Sequence, residues 1–274
     1  MSDYETILIE REGRVARVYF NRPDKLNSFN GTLRREFLRA AQEVNADDDI
    51  WVVVLTGAGM SAESGIATFR GAGGLWEGHR VEDVATPAAW DRNPELVTRF
   101  YNERRKAVWE AEPNAGHYQL AALQDRMHVQ IITQNVDDLH ERAGSEHVLH
   151  LHGELSKARS CGPSAEAYPL NHWEMKTSDR CPAGYPLRPH IVWFGEAVPK
   201  MVEAFPLVKQ ADCVLVIGTS LQVYPAAQLA FESAPGVPMH VIDPAADVLD
   251  VPNATAWPCA ASEGLAQLNA RWFA

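Results

Sequence analysis

Two β-rich runs open the chain, ILIE and VARVYF, with Glu12-Gly13 between them, and they predict a hairpin over residues 7–20. Asn21-Arg22-Pro23-Asp24 breaks that pattern. Leu33, Phe37, Ala41 and Val44 then recur at helical spacing, with Thr32 placed to cap the helix. Four short, almost wholly apolar runs follow, at residues 51–55, 129–133, 213–217 and 239–242. Helical stretches or loops separate them. Continuous apolar runs of this length suit strands buried on both faces, and the alternation predicts an α/β fold on a parallel sheet. Residues 156–189 interrupt the alternation with Cys161, Gly162, Pro163, Pro169, Cys181, Pro182, Gly184, Pro186 and Pro189. This stretch predicts a small, loop-rich inserted subdomain.

Composition narrows the class. The 274 residues are 46% hydrophobic and 22% charged, which excludes disorder, collagen and coiled coil. No apolar run approaches the roughly 20 residues that cross a bilayer. The opening MSDYETILIEREGR has no basic segment followed by an apolar one, so no signal peptide is expected. A net charge of −11 argues against nonspecific nucleic-acid binding. Four cysteines in this length do not make a disulfide framework. The expectation is a cytoplasmic globular protein with neither nucleic acid nor membrane as partner.

The first candidate chemistry follows the run at 51–55. Gly57, Gly59 and Ala62 match G-x-G-x-x-A, the turn by which strand–helix units approach a dinucleotide pyrophosphate. A helix after the turn would add N–H groups and a positive dipole end. The acidic residue usual about 20 positions further on is missing. Instead residues 66–76 continue as a glycine-rich run that predicts a mobile loop closing over a ligand.

The segment GAGMSAESGIATFRGAGGLW resembles the signature of sirtuins, the NAD-dependent protein lysine deacylases. Further segments resemble the family in order: TQNVDDLHERAG at 133–144, LHLHGEL at 149–155, RPHIVWFGE at 188–196 and IGTSLQVYPAA at 217–227. The resemblance spans about residues 52–274 and implies a Rossmann-like sheet with helices on both faces and a small insertion. It implies NAD as cosubstrate and acylated-lysine protein or peptide as partner. His152 becomes the general base, with Asn135 and Asp137 around the nicotinamide and its ribose. A histidine suits that role because its pKa of about 6.5 leaves it mostly neutral at neutral pH. The same resemblance assigns the cofactor to Gly57, Ala58, Gly59, Ser61, Ala62, Glu63, Phe69, Arg70, Trp76, Gln134, Gly218, Thr219, Ser220, Asp243 and Ala261. Asp243 stands where the family commonly has asparagine. Val192, Phe194 and Gly195 fall in the family's peptide-binding strand.

Acyl preference has its own signal. Tyr101 and Arg104 share a helix face at i, i+3, where a hydroxyl and a guanidinium together suit a carboxylate. This resembles the sirtuin subclass that removes succinyl and malonyl groups. Typical sirtuins also carry two C-x-x-C pairs that form a tetrahedral zinc site. Here Cys161-Gly162-Pro163-Ser164 and Cys181-Pro182-Ala183-Gly184 have each lost the second cysteine. Two thiolates alone do not close such a site; His172 or Asp179 would have to complete a rearranged one, which leaves Cys161 and Cys181 as remnant metal candidates and zinc an open question. Without zinc the insertion would rest on Trp173, Tyr168, Tyr185 and prolines packed on the main sheet, or on a Cys161–Cys181 disulfide.

Residues 1–57 instead resemble the start of enoyl-CoA hydratases, the crotonases, whose strand also ends in LTGAG. The chain reads as a chimera: a crotonase-like hairpin and helix over 1–50 joined to a sirtuin-like domain over 51–274. Two other functions remain open, a noncatalytic NAD or ADP-ribose binder and a mono-ADP-ribosyltransferase.

Overall fold

Contacts divide the chain into two units, Met1–Ile50 and Trp51–Ala274. The computed structural model describes residues 4–12, 15–25, 30–45, 50–67, 75–76, 78–249 and 251–273.

In the first unit β1 (Ile7–Glu12) pairs antiparallel with β2 (Val15–Phe20), from Ile7 opposite Phe20 to Glu12 opposite Val15. The hairpin is as expected, although Gly13 of its turn lies outside the described residues. Helix α1 (Gly31–Asn45) buries Leu33 and Ala40 against Ile7. Its cap is Asn30, not Thr32: Asn30 Oδ1 accepts from the Leu33 N–H at 2.8 Å. Asparagine two positions earlier satisfies one of the helix's orphan donors and starts the helix sooner. Glu36 reaches back from α1 to accept the N–H groups of Glu5 (3.0 Å) and Thr6 (2.7 Å), tying the helix to the strand ahead of it.

The second unit begins with β3 (Trp51–Thr56), followed by the short antiparallel pair β4 (Leu75–Trp76) and β5 (His79–Arg80). Helices α2 (Val81–Val84), α3 (Pro87–Arg92), α4 (Pro94–Glu110) and α5 (Ala115–Leu123) lead to β6 (His128–Thr133). Helix α6 (Leu139–Arg142) and β7 (Val148–His150) precede the strands β8 (Gly153–Ser160), β9 (Ala167–Pro169) and β10 (Leu187–Ile191). Then come α7 (Met201–Lys209), β11 (Cys213–Ile217), β12 (Met239–Ile242), β13 (Ala254–Trp257) and α8 (Ala261–Trp272).

Six of these strands form one parallel sheet, in the order β13-β12-β11-β3-β6-β7. Successive residues of the central strands point to opposite faces. Val53, Leu55, Val214 and Val216 join Met201, Ala204 and Val208 of α7 on one side. Val52, Val54, Leu215 and Ile217 join Leu120 of α5 and Leu265 and Leu268 of α8 on the other. Each such side chain contributes about 1.5–3 kcal/mol by leaving water. Helices on both faces are therefore the physical reason the strands are apolar without alternation.

The interruption at 156–189 is less irregular than its prolines suggest. Strands β8, β9 and β10 form an antiparallel sheet in the order β10-β8-β9, beginning at Gly153. Its own small core holds Ala158, Met175, Cys181 and Leu187 with Tyr168 and Leu170 against them. The expected packing of Tyr168 on the main sheet is thus corrected to packing within the insertion. Trp173 and Tyr185 are 38% and 44% exposed. The four cysteines are free thiols, so the Cys161–Cys181 disulfide is absent. Arg105 of α4 ties the insertion down, donating to the carbonyls of Leu155 (2.5 Å) and Trp173 (2.8 Å). Among the described residues no helix is long and apolar enough to cross a membrane.

Candidate active site

The sequence-expected site residues gather at the C-terminal edge of the parallel sheet. Residues 57–63 follow β3, residues 134–137 follow β6, residues 218–220 follow β11 and Asp243 follows β12. His152 lies two residues beyond β7. The chain runs from β3 outward to β6 and β7, and later returns to β11 on the other side of β3. The gap between β3 and β11 is therefore a topological switch point, where open α/β sheets bind ligands.

Two glycine loops meet in that gap. The N–H groups of Gly57 and Gly59 donate to the carbonyls of Ile217 (3.0 Å) and Gly218 (2.8 Å). Gly218 has φ +61°, and a Cβ there would stand 2.3 Å from the Met60 nitrogen. The glycines thus serve loop-on-loop contact as well as ligand approach. One expectation is corrected: the chain continues as two short 3₁₀ turns, Ala58–Met60 and Ala62–Ser64, and not as an α-helix. The contact with Gly218 and the left-handed Gly65 hold the backbone in tight turns there.

Ser61 is buried and organises the polar cluster. Its Oγ accepts from Asn135 Nδ2 and donates to Asp137 Oδ2, each at 3.0 Å. Burial pushes the Asp137 carboxyl up, against the lowering effect of the Ser61 hydroxyl. Gln134 Nε2 donates to Thr219 Oγ1 at 3.2 Å, joining the β6 and β11 loops. The Asn135 N–H donates to Thr133 Oγ1 at 3.0 Å.

His152 faces the same loop. Its Nδ1 lies 3.2 Å from the Gln134 carbonyl oxygen. A carbonyl only accepts, so Nδ1 carries the proton and Nε2 keeps its lone pair. Burial holds the ring's pKa below its ordinary value, partly offset by that bond. The ring is therefore a neutral base at neutral pH. The glycine beside it is a packing requirement: Gly153 has φ +86°, and a Cβ would lie 2.1 Å from the His190 carbonyl oxygen.

The residues expected in a peptide-binding strand adjoin this histidine, but the strand ends at Ile191, and Phe194 and Gly195 lie in a turn that the Glu196 N–H closes on the Trp193 carbonyl at 3.0 Å. The Val192 N–H donates to the His152 carbonyl at 2.9 Å. Phe194 and Gly195 are exposed, and the Phe194 N–H donates to the Ala85 carbonyl at 3.0 Å. Between them Trp193 turns inward, its Nε1 donating to Tyr101 Oη at 3.1 Å. Tyr101 is fully buried and Arg104 is 8% exposed, one helical turn apart on α4. The Arg104 guanidinium carbon lies 5.7 Å from the Phe100 ring centre.

Other expected residues take quieter places. Glu63 accepts from the Ser262 N–H at 3.0 Å, at the start of α8 beside the buried Ala261. Asp243 Oδ1 accepts the Ala245 N–H at 2.9 Å and shapes the turn after β12. Ala58 is half-buried, Ala62 is exposed and Ser220 is half-buried. Phe69, Arg70 and the Trp76 side chain lie outside the described residues.

The insertion does not suit a zinc ion. Cys181 is buried in the apolar cluster and its Sγ takes the Ser160 hydroxyl at 3.4 Å, while Cys161 is exposed. Gly162 lies beneath the Tyr185 ring, where a Cβ would be 2.5 Å from Cδ2. Asp179 is spent on the Lys176 N–H at 2.8 Å. Among the described residues no three His, Cys, Asp or Glu side chains cluster to hold a metal.

Three histidines beyond His152 neighbour these site residues, and sequence spacing alone assigned them nothing. His140 Nε2 lies 3.3 Å from Thr56 Oγ1, and its ring stands edge-on to His117 at 4.8 Å. His150 lies between Asn135 and Glu141. The readable signal was the LHLH repeat, whose two histidines reach the carbonyls of the adjacent residues Asn135 and Gln134.

These features define a doubly wound α/β protein whose candidate site lies at the switch point. Residues 57–225 match the Sir2 family, and the chain belongs to that family. An NAD-dependent protein deacylase of Aggregatibacter actinomycetemcomitans is 57% identical over 192 residues, covering 70% of this chain and 92% of its own. The NAD-dependent protein deacylase of Escherichia coli K12 is 49% identical over 209 residues, covering 73% and 74%. A solved Sir2 homologue in complex with NAD superposes with TM-score 0.73 at 38% identity, covering 81% of this chain and 88% of that one. A Sir2 structure with a deacetylated p53 peptide and 3′-O-acetyl ADP-ribose gives TM-score 0.69 at 30% identity, covering 86% and 97%.

Proposed function

We propose that this chain is an NAD-dependent protein lysine deacylase that acts on acetyl-lysine and prefers succinyl- and malonyl-lysine. The observation that carries the reading is the tautomer of His152. Its Nδ1–H is fixed on the Gln134 carbonyl, which leaves the Nε2 lone pair to act as a base beside the loop that carries Asn135 and Asp137. The deacylase relatives and the NAD-bound Sir2 homologue support the cosubstrate.

Nicotinamide leaves the ribose C1′, and the acyl oxygen of the modified lysine attacks that carbon. His152 Nε2 takes the proton of the ribose hydroxyl that next attacks the acyl carbon. Water completes the release of lysine and O-acyl-ADP-ribose. Gln134, Asn135, Asp137, Thr219 and Ser220 line the cosubstrate's place, and Val192, Phe194 and Gly195, in the loop that follows β10, would meet the peptide. Tyr101 and Arg104 would meet the acyl carboxylate, supported by the burial of both side chains and the bond of Tyr101 to Trp193.

We read residues 1–50 as a crotonase-like unit ahead of the Sir2 domain on their sequence resemblance; the family match begins at residue 57 and leaves them outside it. Mass spectrometry of acetyl- and succinyl-lysine peptides, with and without NAD, tests the function. Acyl loss only with NAD, faster for succinyl, is expected. Tight NAD binding without turnover would favour the noncatalytic binder, and ADP-ribose left on protein would favour the transferase.

A further inference from the structure

His150 is 93% buried at its side chain, a complement of the 7% that remains exposed, and the deacylation chemistry above leaves it without a task. Its Nδ1 lies 3.0 Å from the Asn135 carbonyl oxygen and its Nε2 lies 2.7 Å from Glu141 Oε1. A carbonyl oxygen and an ionised carboxylate both accept and neither donates. Satisfying both contacts requires a proton on each ring nitrogen. His152, two residues on, meets one carbonyl and needs one proton. The two imidazoles therefore hold the carbonyls of consecutive residues, Gln134 and Asn135, in different charge states.

We propose that His150 is a doubly protonated positioning residue that, anchored by Glu141, fixes the Asn135 peptide and so the cosubstrate loop of residues 134–137. The consequence follows from the geometry. The Asn135 side chain carries one of the two bonds to Ser61, and Asp137 carries the other. Rotation of the Asn135 peptide would disturb both. Glu141 is 41% exposed, so solvent protons reach the pair.

The groups around the ring favour the cation. Glu141 and neutral His140 face it from α6, Asp137 and Asp138 from the preceding loop, Glu154 from β8 and His190 from β10. Four of these six are acids, and Lys157 of β8 opposes them, paired with Glu154 at 2.8 Å and acting on Glu141. Burial opposes the charge, but Glu141, the Asn135 carbonyl and Glu154 together bring the pKa above the ordinary histidine value. A group raised in this way holds its partners below that pKa and releases them as pH rises through it. The clamp is thus an alkaline-side limit, whereas His152 sets an acid-side one.

The proposal rests on the deacylase reading only in placing NAD beside this loop, so its test uses binding and spectroscopy without turnover. Nitrogen NMR of the full chain should show both His150 nitrogens protonated at neutral pH and His152 protonated at Nδ1 alone. Calorimetry with NAD should show affinity falling as pH rises through the His150 transition. Glu141→Gln, which keeps an acceptor but removes the charge, should move that fall to lower pH. His150→Phe should weaken NAD about tenfold, the scale of one lost charge-assisted bond, and abolish the alkaline fall. Thermal melts of each variant monitor folding, and the wild-type spectrum decides the protonation even if a variant unfolds. A singly protonated His150 at neutral pH overturns the proposal. So do wild-type NAD affinity and pH dependence in folded His150→Phe. Failure of wild-type protein to bind NAD at any pH would instead count against the deacylase reading.

Discussion

Arg104→Met keeps the length and apolar bulk of the side chain and removes its charge and donors. Arg104 is 8% exposed and Tyr101 is fully buried, so a carboxylate meeting them would leave water almost entirely. Hydrogen bonds to a charged group contribute about 1.5–3 kcal/mol each, and breaking a buried charge pair costs about 3–5 kcal/mol. The second figure governs here, because the acyl carboxylate would be left buried without its cation. It corresponds to roughly a hundredfold to a few thousandfold loss of kcat/KM toward succinyl-lysine. Acetyl-lysine has no carboxylate to strand, so its kcat/KM should change by less than about threefold on packing grounds alone. The assay is kcat/KM for matched succinyl- and acetyl-lysine peptides with the same enzyme preparations. Equal losses on the two peptides would refute the carboxylate contact and reduce Arg104 to a structural residue of α4.

Gly218→Ala and Gly236→Ala both place a Cβ at positive φ, but only Gly218 would strike backbone, at the Met60 nitrogen. Urea melts should show about 1 kcal/mol lost at Gly236 and at least about 1 kcal/mol more at Gly218; equal losses would remove the loop-on-loop explanation. Burial pushes His117 down to about 4, against the opposing pull of Glu63 and Glu141. The unfolded chain protonates it near about 6.5, so stability present above that pH is lost as pH falls toward 4, on the order of 3 kcal/mol. His117→Gln should flatten that acid-side slope in pH-dependent melts, and an unchanged slope would assign it elsewhere. Dialysis against a strong chelator should leave the melting temperature unchanged, because Met175, Leu187, Tyr168 and Leu170 fill the insertion. Stoichiometric zinc by elemental analysis, with destabilisation on its removal, would contradict that packing.

Central strands were legible because helices cover both of their faces. Residues 213–217 and 239–242 match β11 and β12, and β3 and β6 each extend one residue beyond expectation. The sheet's edges were not legible. Strand β7 has three residues, and Ala254–Trp257 is buried too little to need an apolar run. In the insertion, β8 alternates buried and half-buried residues only on either side of a break at Ser156-Lys157, and Lys157 and Arg159 hid that strand among the prolines. The site residues near the motifs were readable as a set, since each strand end carries its own short segment. The contacts between them were not. Glu141 and His150 are nine residues apart and meet only because α6 folds the chain back toward β7. Likewise Ser61 bridges Asn135 and Asp137 across more than seventy residues, a juxtaposition that sheet order creates and local pattern cannot encode.

The most direct test of the account is the product balance of wild-type protein beside His152→Ala, with NAD and a succinyl-lysine peptide. Wild type should release one nicotinamide for each acyl group lost and carry that acyl group on ADP-ribose. His152→Ala should bind NAD and keep its fold but form no O-acyl-ADP-ribose. Continued deacylation by the folded variant would contradict the assignment of His152 as the base on which the proposed chemistry depends.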